Sequence, residues 1–142
     1  MAISVLLVDD EEPFVQATAK RLTLRRFDVY TATRAEKAFE ILKNNPIDIV
    51  VLDVRMPDLD GIEATRTIKA SHPLVEVILL TGHASMEASL EGMKMGAFDY
   101  LLKPLNIDEL VYKIEDAHRK KELQEEKIRR LSDQADESGG EE

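Results

Sequence analysis

Five residues of this sequence could together handle an anionic group and the cation that accompanies it: Asp9, Asp10, Asp53, Thr81 and Lys103. Three carboxylates brought close repel one another and lose hydration, which raises at least one pKa unless a cation joins them. Oxygen-only ligands of high charge suit a hard divalent ion, and Mg2+ typically takes one or two carboxylates, several waters and phosphate oxygens. An ammonium and a hydroxyl can both contact anionic oxygens. The set suits phosphoryl transfer, in which a protein mainly positions groups and neutralises spreading charge. A carboxylate already ionised at neutral pH can be the nucleophile and form an aspartyl phosphate. Asp53 is the natural candidate, with Asp9 and Asp10 as the metal-binding pair.

Taken singly, each residue has a plain structural role. The run Asp9-Asp10-Glu11-Glu12 can be a solvated acidic loop, Asp53 a turn residue, Thr81 a helix N-cap and Lys103 a charge at a strand end. Their meaning depends on a fold that gathers them.

That fold is legible as strand–helix alternation. Ile3–Val8 and Ile47–Asp53 are apolar runs that alternate too little to leave one face in water, so they read as strands buried on both sides. Asp28–Ala32, Val75–Leu80 and Phe98–Leu102 are further short strands. Helices are expected over Pro13–Arg25, with Val15, Ala19 and Leu22 inward, over Arg34–Asn44 and over Ile62–Ser71. A fourth helix carries Met86, Leu90, Met93 and Ala97 as its inward stripe, and a fifth carries Ile107, Leu110, Val111, Ile114 and Ala117. Residues 54–61 between the third strand and third helix form a loop with turn chemistry at both ends. Five such repeats predict a doubly wound α/β fold, a parallel sheet with helices on both faces and right-handed crossovers. In it every strand ends on one edge, so Asp9, Asp10, Asp53, Thr81 and Lys103 converge there.

Composition bounds the rest. A chain of 142 residues holds one domain with a core. Its net charge of −9 is uneven, because residues 132–142 hold five acids and no Lys or Arg, leaving −4 on residues 1–131. An acidic body argues against nonspecific nucleic-acid binding. There is no cysteine, hence no disulfide or zinc-thiolate site. No apolar run approaches a membrane span, and the N-terminus lacks the charged region of a signal peptide. The expectation is a soluble cytoplasmic protein.

Four stretches carry a resemblance to the receiver domain of two-component response regulators, over Ile3 to Arg119. They are Leu6-Leu-Val-Asp9-Asp10-Glu11, Asp53-Val-Arg-Met-Pro57-Asp-Leu-Asp-Gly61, Leu80-Thr81-Gly82-His-Ala84 and Gly96-Ala-Phe-Asp-Tyr100-Leu-Leu-Lys103-Pro104. The resemblance implies a flavodoxin-like receiver fold, a five-stranded sheet of order 2-1-3-4-5 flanked by five helices. It implies Asp53 as acceptor of phosphate from a histidine kinase, a phosphotransfer protein or a small phosphodonor. Asp9, Asp10 and Asp53 with the backbone carbonyl of Arg55 match the ligands of Mg2+ (or Mn2+). Thr81 and Lys103 match the groups that bind the phosphoryl oxygens, and Tyr100 matches the switch aromatic that turns inward when Thr81 moves. Lys103–Pro104 matches a cis peptide. The resemblance also places Arg55 and His83 where phosphoryl lifetime is tuned, while as residues His72, His83 and His118 all read as solvated surface histidines.

Three rivals fare worse. A haloacid-dehalogenase-type phosphatase needs an acid two residues after its nucleophile, where Arg55 stands. A nucleotide or flavin module needs a glycine-rich loop after the first strand, where acids stand instead. A receiver-like interaction module that takes no phosphate would have no use for the complete acid set.

Residues 1–119 form the expected receiver domain and residues 120–131 a charged extension of the last helix. Leu110, Ile114, Ala117, Lys121, Gln124, Ile128 and Leu131 follow a heptad spacing that Lys121 and Gln124 interrupt. A solvated extension and a weak homodimeric coiled coil both stay open. Residues 132–142 read as a disordered acidic tail. With Gly139-Gly140 and two acids at the end, the sequence suggests a stand-alone regulator acting on a downstream protein target, the other reading being a receiver excised from a longer chain.

Overall fold

The computed structural model describes residues 2–82 and 86–140. The elements run β1 (Ser4–Val8), α1 (Glu12–Leu24), β2 (Asp28–Ala32), α2 (Ala35–Asn44), β3 (Ile49–Asp53), β4 (Arg55–Met56), β5 (Leu59–Asp60), α3 (Gly61–Ser71), β6 (Glu76–Thr81), α4 (Met86–Lys94), β7 (Asp99–Leu102) and α5 (Ile107–Gly140). The five long strands form a parallel sheet of order β2-β1-β3-β6-β7. Leaving out the two-residue strands β4 and β5, this is the 2-1-3-4-5 order, with five helices on two faces. The apolar runs explain why. Alternate residues of each central strand serve opposite faces, so every position must be apolar. Leu6, Val8, Val50, Leu52, Val77 and Leu79 pack with α2, α3 and α4. Val5, Leu7, Ile49, Val51, Ile78 and Leu80 pack with α1 and α5.

Several details depart from the sequence reading. The loop after β3 contains a small antiparallel hairpin, β4–β5. In α4 the buried residues are Ser89 and Gly92, and Leu90, expected inward, is 52% exposed. Small residues win that face because α4 lies close to the sheet: a Cβ on Gly92 would sit 2.3 Å from Leu79 Cδ1. Helix α5 continues through Ser132–Gly140, the stretch read as a disordered tail. That reading rested on the lack of apolar residues to bury, whereas a helix there needs only its own backbone bonds. Among the described residues no helix is long and apolar enough to cross a membrane.

The N-terminal edge of the sheet holds an ion-pair network that apolar patterning does not reveal. Glu76 opens β6 with 0% exposure. Its oxygens meet Lys69 of α3 at 3.3 Å and Lys120 of α5 at 3.2 Å. A buried charge persists only when paired. Lys69 also donates to the carbonyls of Pro73 and Val75 at 2.8 and 2.9 Å. Beside it Lys121 pairs with Asp48 at 3.0 Å, and Asp48 accepts the Ser4 amide at 2.8 Å. Lys121, which interrupts the heptad seam, therefore anchors α5 to the sheet.

Gly61 is fixed by close approach. Its N–H donates to Val54 O at 3.0 Å, and a Cβ would lie 2.7 Å from Val54 Cα and 2.9 Å from Val54 O. Gly61→Ala is expected to lower stability by about 1–3 kcal/mol, read as a drop in the urea midpoint. Gly82→Ala, with no atom of the described residues within 4 Å of the added atom, should change it by less than about 0.5 kcal/mol. Equal midpoints for the two variants would refute the steric account.

Candidate functional site

The carboxyl edge of the sheet is built from strand ends. The chain leaves β1 with Asp9, whose amide donates to Ala32 O of β2 at 3.2 Å and whose side chain is fully buried. Its Oδ1 accepts the Glu11 amide at 2.9 Å. Asp10 is exposed to solvent. Asp53 is the last residue of β3, opposite Leu80 of β6, and its side chain is 12% exposed. Its Oδ1 faces the Arg55 amide at 3.4 Å. One oxygen from each of Asp9, Asp10 and Asp53 lies within 4.8 Å of the others.

Lys103 reaches this cluster from just beyond β7. Its ammonium donates to Asp9 Oδ2 at 2.7 Å and stands 3.5 Å from Glu11 Oε1 and 3.8 Å from Asp53 Oδ2. The Lys103–Pro104 peptide is cis. Burial pushes the Asp53 carboxyl up to about 6, with Asp9 and more weakly Asp10 adding to the rise and Lys103 and the Arg55 amide opposing it. Burial pulls the Lys103 ammonium down, but the hydrogen bond to Asp9 and the charges of Asp53, Asp9 and Glu11 outweigh it, so the net direction is up. The group that is uncomfortable when charged is Asp53. One ammonium against three carboxylates leaves the cluster short of positive charge, which a divalent cation on those oxygens would supply.

Thr81 ends β6 and is 1% exposed. Its hydroxyl donates to Gly82 O at 3.0 Å rather than to a carboxylate, and its carbonyl accepts the Lys103 amide at 2.8 Å. Thr81 and Lys103 are thus tied through the backbone of neighbouring strands. Tyr100 sits half-buried on β7, against the core cluster on the α2–α4 face. Its amide donates to Asp99 Oδ1 at 2.8 Å, and Asp99 pairs with Lys113. Arg55, on β4, is exposed and lines a groove with Met86, Glu87, Leu90 and Lys94.

The other acids of the loop serve helix ends. Asp60 caps α3 by accepting the Ile62 amide at 2.9 Å, and Asp58 accepts the Ala35 amide of α2 at 3.0 Å. Two members of the site were missed in the sequence. Glu11 faces Lys103, and Phe14 lies with its ring 4.6 Å from the Lys103 nitrogen. An aromatic residue one helical turn beyond Asp10 was the available signal. Two histidines are less solvated than expected: His72 closes α3 half-buried, and His118, 24% exposed, faces Glu122 at 3.2 Å. His83 lies outside the described residues.

Known proteins resemble this chain over most of its length. The response regulator receiver domain family matches residues 5–115. The chain is 34% identical over 106 residues to the regulatory protein AtoC of Escherichia coli, strain K12, covering 75% of this chain and 23% of that protein. It is 35% identical over 128 residues to a putative response regulator, NtrX-like, of Rickettsia felis, covering 89% and 27%. The chain thus spans about a quarter of the length of these curated relatives. A response regulator receiver domain protein of Clostridium thermocellum superposes with a TM-score of 0.82 at 35% identity, covering 86% of this chain and 98% of that one. NtrX of Brucella abortus, solved in complex with ADP, superposes with a TM-score of 0.83 at 30% identity, covering 89% and 29%. The matched span takes in all five long strands save Ser4, the three carboxylates, Thr81 and Lys103, and the chain belongs to the response regulator receiver domain family of two-component signalling.

Proposed function

We propose that this chain accepts a phosphoryl group on Asp53 from a histidine kinase or phosphotransfer protein and passes the change to a downstream protein. The observation that carries the reading is the placement of Asp53: a nearly buried carboxylate at the central strand end, within 4.8 Å of two more and 3.8 Å from an ammonium. In the proposed step an Asp53 carboxylate oxygen attacks phosphorus. A P–O bond forms to Asp53, the P–N bond of the donor phosphohistidine breaks, and its electron pair remains on the imidazole. With acetyl phosphate the donor P–O bond breaks and acetate leaves. A carboxyl at about 6 is mostly ionised at neutral pH, yet more basic than an ordinary Asp.

Asp9, Asp10, Asp53 and the backbone carbonyl of Arg55 would hold Mg2+ (or Mn2+), whose charge would offset their repulsion and that of the phosphoryl oxygens. Lys103 stays beside Asp53 to pair with those oxygens. The Thr81 hydroxyl exchanges Gly82 O for a phosphoryl oxygen, and Tyr100 turns inward in response, altering a partner-binding surface. The work is self-catalysed and confined to this chain's own carboxylate, so no external substrate is turned over. The proposed setting is cytoplasmic, without direct nucleic-acid binding by this acidic domain. Residues 1–119 are the receiver, and the α5 extension adds a homodimer contact, because Ile128 and Leu131 are 55% and 56% exposed.

Incubation with Mg2+ and acetyl phosphate should give an acid-stable, base-labile phosphate that Asp53→Asn or a chelator abolishes. Incorporation unchanged in Asp53→Asn would sink the reading. Sedimentation with and without beryllofluoride should detect a dimer that Leu131→Glu removes, and a monomer in both states excludes the α5 contact.

Metal-free stability gives a second, independent check. The folded Asp53 carboxyl, at about 6, binds its proton more tightly than the unfolded group at 3.8. Its contribution is therefore fully present below about pH 4 and lost as pH rises through 6. In chelator at about pH 7, Asp53→Asn should exceed the wild type by about 1–3 kcal/mol in urea unfolding. The gap should close toward pH 4, and Mg2+ should narrow it at pH 7. A wild type as stable as the variant in chelator at pH 7 contradicts the electrostatic account.

A further inference from the structure

We propose that the ring of Phe14 is the seat of the Lys103 ammonium, which makes Phe14 a positioning residue for the phosphoryl-accepting site. The proposal rests on Asp53 being the acceptor. Lys103 carries a point charge on a flexible stem, with three carboxylates drawing on it. Only Asp9 holds it at hydrogen-bond length, 2.7 Å, while Glu11 at 3.5 Å and Asp53 at 3.8 Å compete. The Glu11 side chain is 67% exposed, so an ammonium free to follow it would move toward water and away from Asp53.

The first turn of α1 supplies the opposing constraint. Glu11 is its N-cap residue, and Phe14 stands one turn in, half-buried against the cluster between the sheet, α1 and α5. Pro104, Leu105 and Ile107 line the same groove as the ring, and Leu105 and Ile107 pack against the same cluster. The Lys103 nitrogen lies over this ring at 4.6 Å from its centroid, inside the roughly 6 Å range of cation–π attraction. The negative face of the ring covers the side of the ammonium that water would otherwise take. Its protons are then left for Asp9 and for anionic oxygens attached to Asp53.

A Phe that only fills the core needs its volume, whereas a seat needs its face. Phe14→Leu keeps most of the apolar volume and removes the face, and Phe14→Tyr keeps both. The full chain is compared as wild type, Phe14→Leu and Phe14→Tyr. The wild-type Lys103 ε-methylene protons should be displaced upfield by the ring current in NMR spectra. Phe14→Leu should lose that displacement and slow phosphoryl uptake from acetyl phosphate about two- to fivefold. Its Mg2+ affinity should stay within about twofold, since no carboxylate is touched. Phe14→Tyr should match the wild type in all three. A wild-type rate in Phe14→Leu overturns the positioning role, and so does a Phe14→Tyr rate as slow as that of Phe14→Leu. If the wild type itself takes no phosphate, the proposed function fails. The ring-current measurement then still reports whether the ring holds the ammonium.

Discussion

Three carboxylates drawn to one sheet edge with a single ammonium among them is the constraint around which the rest of the molecule is arranged. Asp9, Asp10 and Asp53 come within 4.8 Å of one another, and the fold must hold them there against their repulsion. The force that does so is burial of the strands behind them. Every residue of β3 is buried, and its neighbours β1 and β6 are nearly as deep, so each strand end is located by apolar packing on both faces. Asp9 and Asp53 cannot retreat to solvent without dragging a core strand. The discomfort therefore appears as a raised proton affinity at Asp53 rather than as a shift of the backbone.

The opposite edge uses the same chemistry to a different end. There Asp48 and Glu76 are also brought together by the sheet, but Lys69, Lys120 and Lys121 meet them. The buried Glu76 oxygens each have a lysine, and the edge is electrostatically closed. It joins α3 and α5 to the sheet and has no vacancy for a further charge. At the carboxyl edge one lysine serves Asp9, Glu11 and Asp53 together. The two edges differ in this ratio of cations to carboxylates, not in the residue types.

The sequence made the sheet legible because a strand buried on both faces must be apolar throughout, and Ile49–Asp53 satisfies that without ambiguity. Convergence of Asp9, Asp53 and Lys103 followed from parallel topology alone. What stayed hidden has a common cause, since it depends on contacts between elements and not on local pattern. Leu90 fits a helical stripe, yet Ser89 and Gly92 take the inner face because α4 must approach Leu79 closely. Glu76 sits in an apolar run, and only the arrival of Lys69 and Lys120 from other helices makes its burial tolerable. Phe14 falls outside the inward stripe of Val15, Ala19 and Leu22, and only the loop after β7 brings Lys103 over its face.

The same contacts say which elements around Asp53 are held firmly and which are not. Thr81 and Lys103 flank that residue and are joined through Lys103 N–H and Thr81 O, so a pull on either side chain is felt by both β6 and β7. The helix that follows β6 is α4, whose buried residues are a serine and a glycine. Its apolar contacts with the core are the partly buried Ala88 and Met93, so it has less apolar area to lose on shifting than α5, and elements of that kind lie toward the low end of local stability. Helix α5 is different: Leu110, Ile114 and Ala117 are fully buried and Lys120 and Lys121 pin it to the far edge. Under the proposed function, a rearrangement that begins at Thr81 would therefore pass into α4 and the Tyr100 strand beside it, with α5 as the fixed frame.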